Sequence, residues 1–188
     1  MIKRAVGFNA PVSVKLQLFK TLCVSILECS SQVWSPQTKR DVCLLESVQR
    51  SMTRYILNSD DITYAERCFI LNILPLSYRR EIADLLFVFK QLHGYSNVNF
   101  TDEITFTVST NGCIALSRSH VRTESFLSMY FNRIVHLWNV LPESSRSCNR
   151  FTSFKASVME FYENKLSNYS SFNSCTWIST CRCNGIYH

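Results

Sequence analysis

With 188 residues, 46% of them hydrophobic and 13% aromatic, the chain carries enough apolar mass for a buried core, which excludes a disordered polar segment. Only four glycines occur, which disfavours Gly-rich nucleotide loops and turn-dense all-β folds. The formal charge of +6 permits contact with phosphate without demanding it.

In chain order, Pro11 suits the first position of a helix, because its missing N–H would have no partner there. From Val12 to Trp34, Leu16, Phe19, Leu22, Cys23, Ile26, Leu27 and Val33 recur at helical spacing and predict one buried face, ended by Ser35-Pro36. Thr38 reads as the N-cap of a helix over about 39–57, with Asp41 three residues on. Its expected core face is Val42, Leu45, Val48, Met52, Tyr55 and Ile56, and its outer face carries Arg40, Ser47, Arg50, Ser51 and Arg54. A short helix is expected around 64–73. Ser77 reads as the N-cap of another that buries Tyr78, Ile82, Leu85, Phe89 and Leu92 and stops at Gly94.

Beyond Gly94 the pattern changes. Ile104, Phe106 and Val108 alternate with Thr105, Thr107 and Ser109, and Asn111-Gly112 follows, which predicts a β-hairpin. Helices over 124–141 and 151–166 come next, then a Ser/Asn-rich linker from Ser167 to Ser174. The expected fold is mainly α, with a helical bundle over 1–94, a hairpin plus two helices over 95–166 and a Cys-bearing tail over 167–188.

Nine cysteines occur, yet the N-terminal residues show no apolar leader, so the expectation is an intracellular protein, nuclear or cytoplasmic and not secreted. Cys23, Cys29, Cys43, Cys68, Cys113 and Cys148 are accordingly expected to be reduced. The longest apolar stretch, Ile82 to Leu92, is too short and too interrupted by charge to span a bilayer. In the tail, Cys175, Cys181, Cys183 and His188 offer four soft ligands, and tetrahedral zinc accepts three Cys and one His. A single residue separates Cys181 from Cys183, closer than paired zinc ligands usually lie, so a reduced tail without cofactor is the expectation and zinc the alternative.

Several motifs arrive in a set order: Leu27-Glu28-Cys29-Ser30, Val33-Trp34-Ser35-Pro36, Leu45-Glu46-Ser47-Val48-Gln49-Arg50, Tyr64-Ala65-Glu66-Arg67, Leu76-Ser77-Tyr78-Arg79-Arg80, Asp84-Leu85 and Phe89-Lys90. Farther on stand Arg133-Ile134-Val135-His136-Leu137-Trp138-Asn139-Val140-Leu141-Pro142 and Phe154-Lys155. This succession, over roughly residues 10–166, resembles the region after the catalytic palm in reverse transcriptases of non-LTR (LINE-type, jockey-like) retrotransposons. The resemblance implies a thumb and post-thumb segment whose parent enzyme is an RNA-directed DNA polymerase, with the polymerase domains lying upstream. It also implies a primer–template duplex, RNA–DNA or DNA, as partner, with neither a membrane nor a small-molecule substrate.

No enzyme constellation is expected in this chain. A polymerase needs paired aspartates to hold two metal ions, and the aromatic-x-Asp-Asp signature is absent. Asn58-Ser59-Asp60-Asp61 holds adjacent aspartates, but its flanks read as a helix–helix loop. Expected nucleic-acid contacts are Arg40, Arg50, Arg54, Arg79, Arg80 and Lys90, since a guanidinium can bind phosphate oxygens bidentately. A solvated helix face is the competing reading of the first three. For Arg79 and Arg80 it is pairing with Glu81 or Asp84. Arg133 falls within the apolar arc of its helix and therefore predicts an ion pair with a carboxylate of the first four helices. Two other functional classes stand beside the thumb reading: a non-enzymatic helical protein-interaction module, and a decayed fragment without function.

Overall fold

A computed structural model describes residues 2–7, 9–36, 38–95, 104–108, 113–117 and 130–171. The fold is mainly α with one two-stranded antiparallel hairpin. Its helices are α1 (Ile2–Ala5), α2 (Val12–Phe19), α3 (Ser25–Glu28), α4 (Ser31–Trp34), α5 (Lys39–Leu57), α6 (Tyr64–Ile70) and α7 (Leu76–Leu92). After the strands β1 (Thr105–Val108) and β2 (Ile114–Ser117) come α8 (Tyr130–Val140), α9 (Glu143–Arg146) and α10 (Phe151–Ser171). Two compact units are present: residues 2–30, 38–79 and 163–171 form one, and residues 31–36 and 80–162 the other. Helix α7 is divided between the two, its residues to Arg79 in the first and those from Arg80 in the second.

The single helix expected over 12–34 is broken. A π-helical turn, Lys20–Val24, separates α2 from α3, and Ser30 takes a left-handed φ of 53° before α4 begins. Hydroxyls assist this geometry: Thr21 donates to the Gln17 carbonyl at 3.0 Å and Ser25 to the Thr21 carbonyl at 2.6 Å. Such back-bonding competes with the regular ladder, and each π turn advances the helix phase. The buried residues are consequently Lys15, Phe19 and Val24, while Leu22 and Ile26, expected in the core, face solvent.

Helix α5 opens as expected, with Thr38 accepting from the Asp41 amide at 3.2 Å. Its inward face differs from the expectation. Met52, Tyr55 and Ile56 are buried, but so are Glu46, Gln49 and Thr53, whereas Val48 and Leu44 are exposed. Each of these polar residues has a partner. The Gln49 amide donates to the Leu74 carbonyl at 2.9 Å, and Arg67 Nε of α6 donates to Thr53 Oγ1 at 3.2 Å. Glu46 accepts from the Tyr64 hydroxyl and from the backbone amides of Leu76 at 2.9 Å and Ser77 at 3.0 Å.

Glu46 therefore satisfies the first turn of α7 across a gap of thirty residues, a role the local sequence had suggested for Ser77. A carboxylate suits that position, because the first N–H groups of a helix lack intrahelical acceptors and carry partial positive charge. At its other end α7 stops as expected: Gly94 takes a φ of 71°, and the Tyr95 amide donates back to the Lys90 carbonyl at 2.8 Å.

In the second unit, Phe89 stacks on Phe154 with ring centroids 4.3 Å apart, and Trp138 lies 5.5 Å from Phe154. Ile134, Val158 and Tyr162 complete this buried layer. Trp138 is core and donates its indole N–H to the Ile114 carbonyl at 2.8 Å. The last helix runs to Ser171, past the linker expected from Ser167, and the Ser167 hydroxyl donates to the Glu163 carbonyl at 2.9 Å. Residues 96–103, 109–112 (with the Asn111-Gly112 turn), 118–129 and 172–188 lie outside the described residues, as does the start of the helix expected from Thr123.

Replacing Glu46 by Ala should lower unfolding stability by about 2–3 kcal/mol, since it strips a cap and leaves the buried Tyr64 hydroxyl without its acceptor. Ser77→Ala should change it by less than about 0.5 kcal/mol. Urea denaturation followed by circular dichroism reads both, and equal losses would contradict the assignment of the cap to Glu46.

Candidate nucleic-acid interface

The cationic residues sort by burial. On α5, Arg40 and Arg54 are exposed, and Arg50 is half-buried with its guanidinium 5.1 Å from the centre of the Tyr64 ring. Arg54 approaches Asp60 at 3.8 Å, both side chains being largely in water. Exposed pairs of this kind contribute about 0–1 kcal/mol and exchange readily for other partners. Arg79 is held inward by Glu28 of α3 at 2.5 Å. Arg80, only 4% exposed, is removed from the expected phosphate-binding set by burial. Lys90 is exposed on the part of α7 that belongs to the second unit, its ammonium 4.9 Å from the Phe151 ring.

Sequence reasoning missed Lys3. Helix α1 places its ammonium against α5, where it donates to the Ser51 hydroxyl at 2.8 Å. Arg40, Ser47, Ser51 and Arg54 share about a sixth of the α5 circumference, and about 21 Å of helix separates the two arginines. Lys3 thus adds a third cation to that face between them. No local signal links residue 3 to residue 51; only the tertiary fold does.

Arg133 of α8 meets Asp84 of α7, with Nε and Nη2 both 2.8 Å from Oδ2. The Asp84 side chain is 2% exposed and that of Arg133 23%. Burial pushes the Asp84 carboxyl above its ordinary range, and the charges of Arg133 and Arg80 offset this only in part. The Tyr130 hydroxyl donates to the Asp84 backbone carbonyl at 3.3 Å. The Arg133 guanidinium is thus turned to the Asp84 carboxylate, a structural role.

Cys68 is fully buried, and desolvation pushes its thiol up to about 11, which leaves it protonated and inert. Glu66 is held below the usual carboxylate range by the Thr63 hydroxyl and amide in a capping box at the start of α6. Asp60 and Asp61 follow Asn58, the left-handed C-cap of α5, and lie in the connection to α6.

Among the described residues, no three His, Cys, Asp or Glu side chains gather as a metal site requires. Cys175, Cys181, Cys183 and His188 lie outside the described residues. Cys23, Cys29, Cys68, Cys113 and Cys148 are free thiols. No helix among the described residues is long and apolar enough to cross a membrane. No family model, no curated protein and no solved structure matches the chain.

Arg133→Met should destabilise the protein by about 3 kcal/mol, because it abandons a buried carboxylate, and adding Asp84→Asn should recover most of that loss. The raised Asp84 pKa means that the folded state holds its proton more tightly than the unfolded chain. Its contribution is therefore most favourable below the ordinary carboxylate pKa and declines as pH rises through the raised value. Asp84→Asn should flatten that decline in stability measured from acid toward neutral pH. An unchanged slope would contradict the assignment.

Proposed function

We propose that this chain binds a nucleic-acid duplex along the exposed side of α5, as the thumb of a retrotransposon reverse transcriptase would, and carries out no nucleotidyl transfer itself. The observation that carries the reading is the exposure of Arg40 and Arg54 on one side of α5, with Lys3 bonded to Ser51 between them. Their span of about 21 Å matches about six phosphates of one strand at 3.4 Å each. Arginine on such a face can grip phosphate oxygens with both arms of its fork. The ordered motifs from Leu27 to Lys90, which resemble the post-palm region of LINE-type enzymes, supply the primer–template duplex as the ligand. In this reading the catalytic aspartates belong to polymerase domains upstream, and Arg50 stands at the margin of the interface.

A second reading has its own support. Leu22 and Ile26 on the first helical segment, and Leu44 and Val48 on α5, are exposed apolar pairs at one-turn spacing. Apolar stripes left in water mark protein-binding surfaces, so a helical protein-interaction module is the competing function.

Fluorescence anisotropy with an RNA–DNA hybrid across a salt series separates the two. The thumb reading expects binding whose logarithm falls linearly with the logarithm of salt, and a slope reduced by about one unit in each of Arg40→Ala and Arg54→Ala. Absence of hybrid binding at low salt, or binding indifferent to both substitutions, would overturn it.

A further inference from the structure

The two edges of the hairpin are treated differently by the fold. Along β2, the Leu116 amide donates to Asn139 Oδ1 at 3.1 Å, and Asn139 Nδ2 donates back to the Leu116 carbonyl at 2.8 Å. Trp138 donates to the Ile114 carbonyl on the same edge. Two side chains of α8 thereby stand in for a neighbouring strand. The register pairs Phe106 with Leu116 and Val108 with Ile114. Since Leu116 turns its backbone groups toward α8, Ala115 and Ser117 turn theirs toward β1, and Phe106 and Val108 turn theirs to the opposite, outer edge.

Among the described residues of that outer edge, neither a charge nor a proline blunts the strand. Thr105, Phe106, Thr107 and Val108 are all exposed. Val108 is 69% exposed and Phe106 40%, although Leu116, opposite Phe106, is buried.

We propose that the outer edge of β1 pairs antiparallel with the same edge of a second copy of this chain, giving a continuous four-stranded sheet. The occupant follows from self-complementarity. A two-fold axis at Thr107 sets Phe106 against Val108 of the second copy, twice, in hydrogen-bonded pairs that use the outward N–H and C=O groups. Aromatic against β-branched, and threonine against threonine at the axis, are favourable cross-strand pairs. The strand's neutrality spares the two copies like-charge repulsion at the seam, whereas the overall charge of +6 opposes association at long range and is screened by salt.

The test is sedimentation equilibrium of the full chain with single changes at Thr107, which is exposed and points away from the Phe106 side. Wild type should dimerise reversibly. Thr107→Lys and Thr107→Glu, each placing two like charges face to face at the axis, should each weaken the dimer at least about fivefold. An equimolar mixture of the two variants should restore it. In the wild-type protein, hydrogen exchange at the Phe106 and Val108 amides should slow as concentration rises. A wild-type monomer at every concentration would leave the edge to a foreign peptide and overturn the proposal, and so would a dimer that ignores position 107.

Discussion

A buried charge has to meet a partner, and this requirement shapes the structure more than any apolar stripe. Glu46 is inside because the first amides of α7 and the Tyr64 hydroxyl converge on it. Asp84 is inside because Arg133 closes on it with two nitrogens. Leaving either carboxylate unpaired would cost several kcal/mol, a large share of a typical domain's stability. Helix α7 depends on both, through its first turn at Glu46 and its middle at Asp84.

The same requirement divides the arginines. Arg67 is turned to Thr53 and the Ile62 carbonyl, Arg79 to Glu28 and Arg133 to Asp84, and Arg80 is buried. The arginines of α5 that remain in water are Arg40 and Arg54, joined by Lys3 from α1. Four arginines among the described residues are thus committed to internal order, and the interface proposed for duplex binding is narrower than a residue count suggests.

Much of this was legible in the sequence, and the failures have definite causes. Thr38 and Gly94 marked helix ends because capping is local chemistry, and alternation around 104–108 gave the hairpin because its period is two. The inward turn of Arg133 followed from its place in an apolar arc. The faces of the first two long helices were misread for two reasons. A π turn between Lys20 and Val24 moved Leu22 and Ile26 outward, and tertiary hydrogen bonds drew Glu46, Gln49 and Thr53 inward past Val48. A hydrophobicity pattern registers neither event, since one is a change of backbone period and the other depends on residues twenty or thirty positions away. Lys3 escaped notice for the same reason, and Asn139 reads as a polar helix residue until the edge of β2 is set beside it.

The sorting of arginines into structural and ligand-facing sets is open to chemical modification. Treating the folded protein with an arginine-selective dicarbonyl, with and without an RNA–DNA hybrid, and locating adducts by mass spectrometry would report on each guanidinium separately. The account predicts rapid modification of Arg40 and Arg54 in the free protein, protection of both by the hybrid, and slow reaction of Arg67 and Arg80 in either state. Arg67 or Arg80 reacting as fast as Arg40, or a bound hybrid that leaves Arg40 and Arg54 fully reactive, would contradict it.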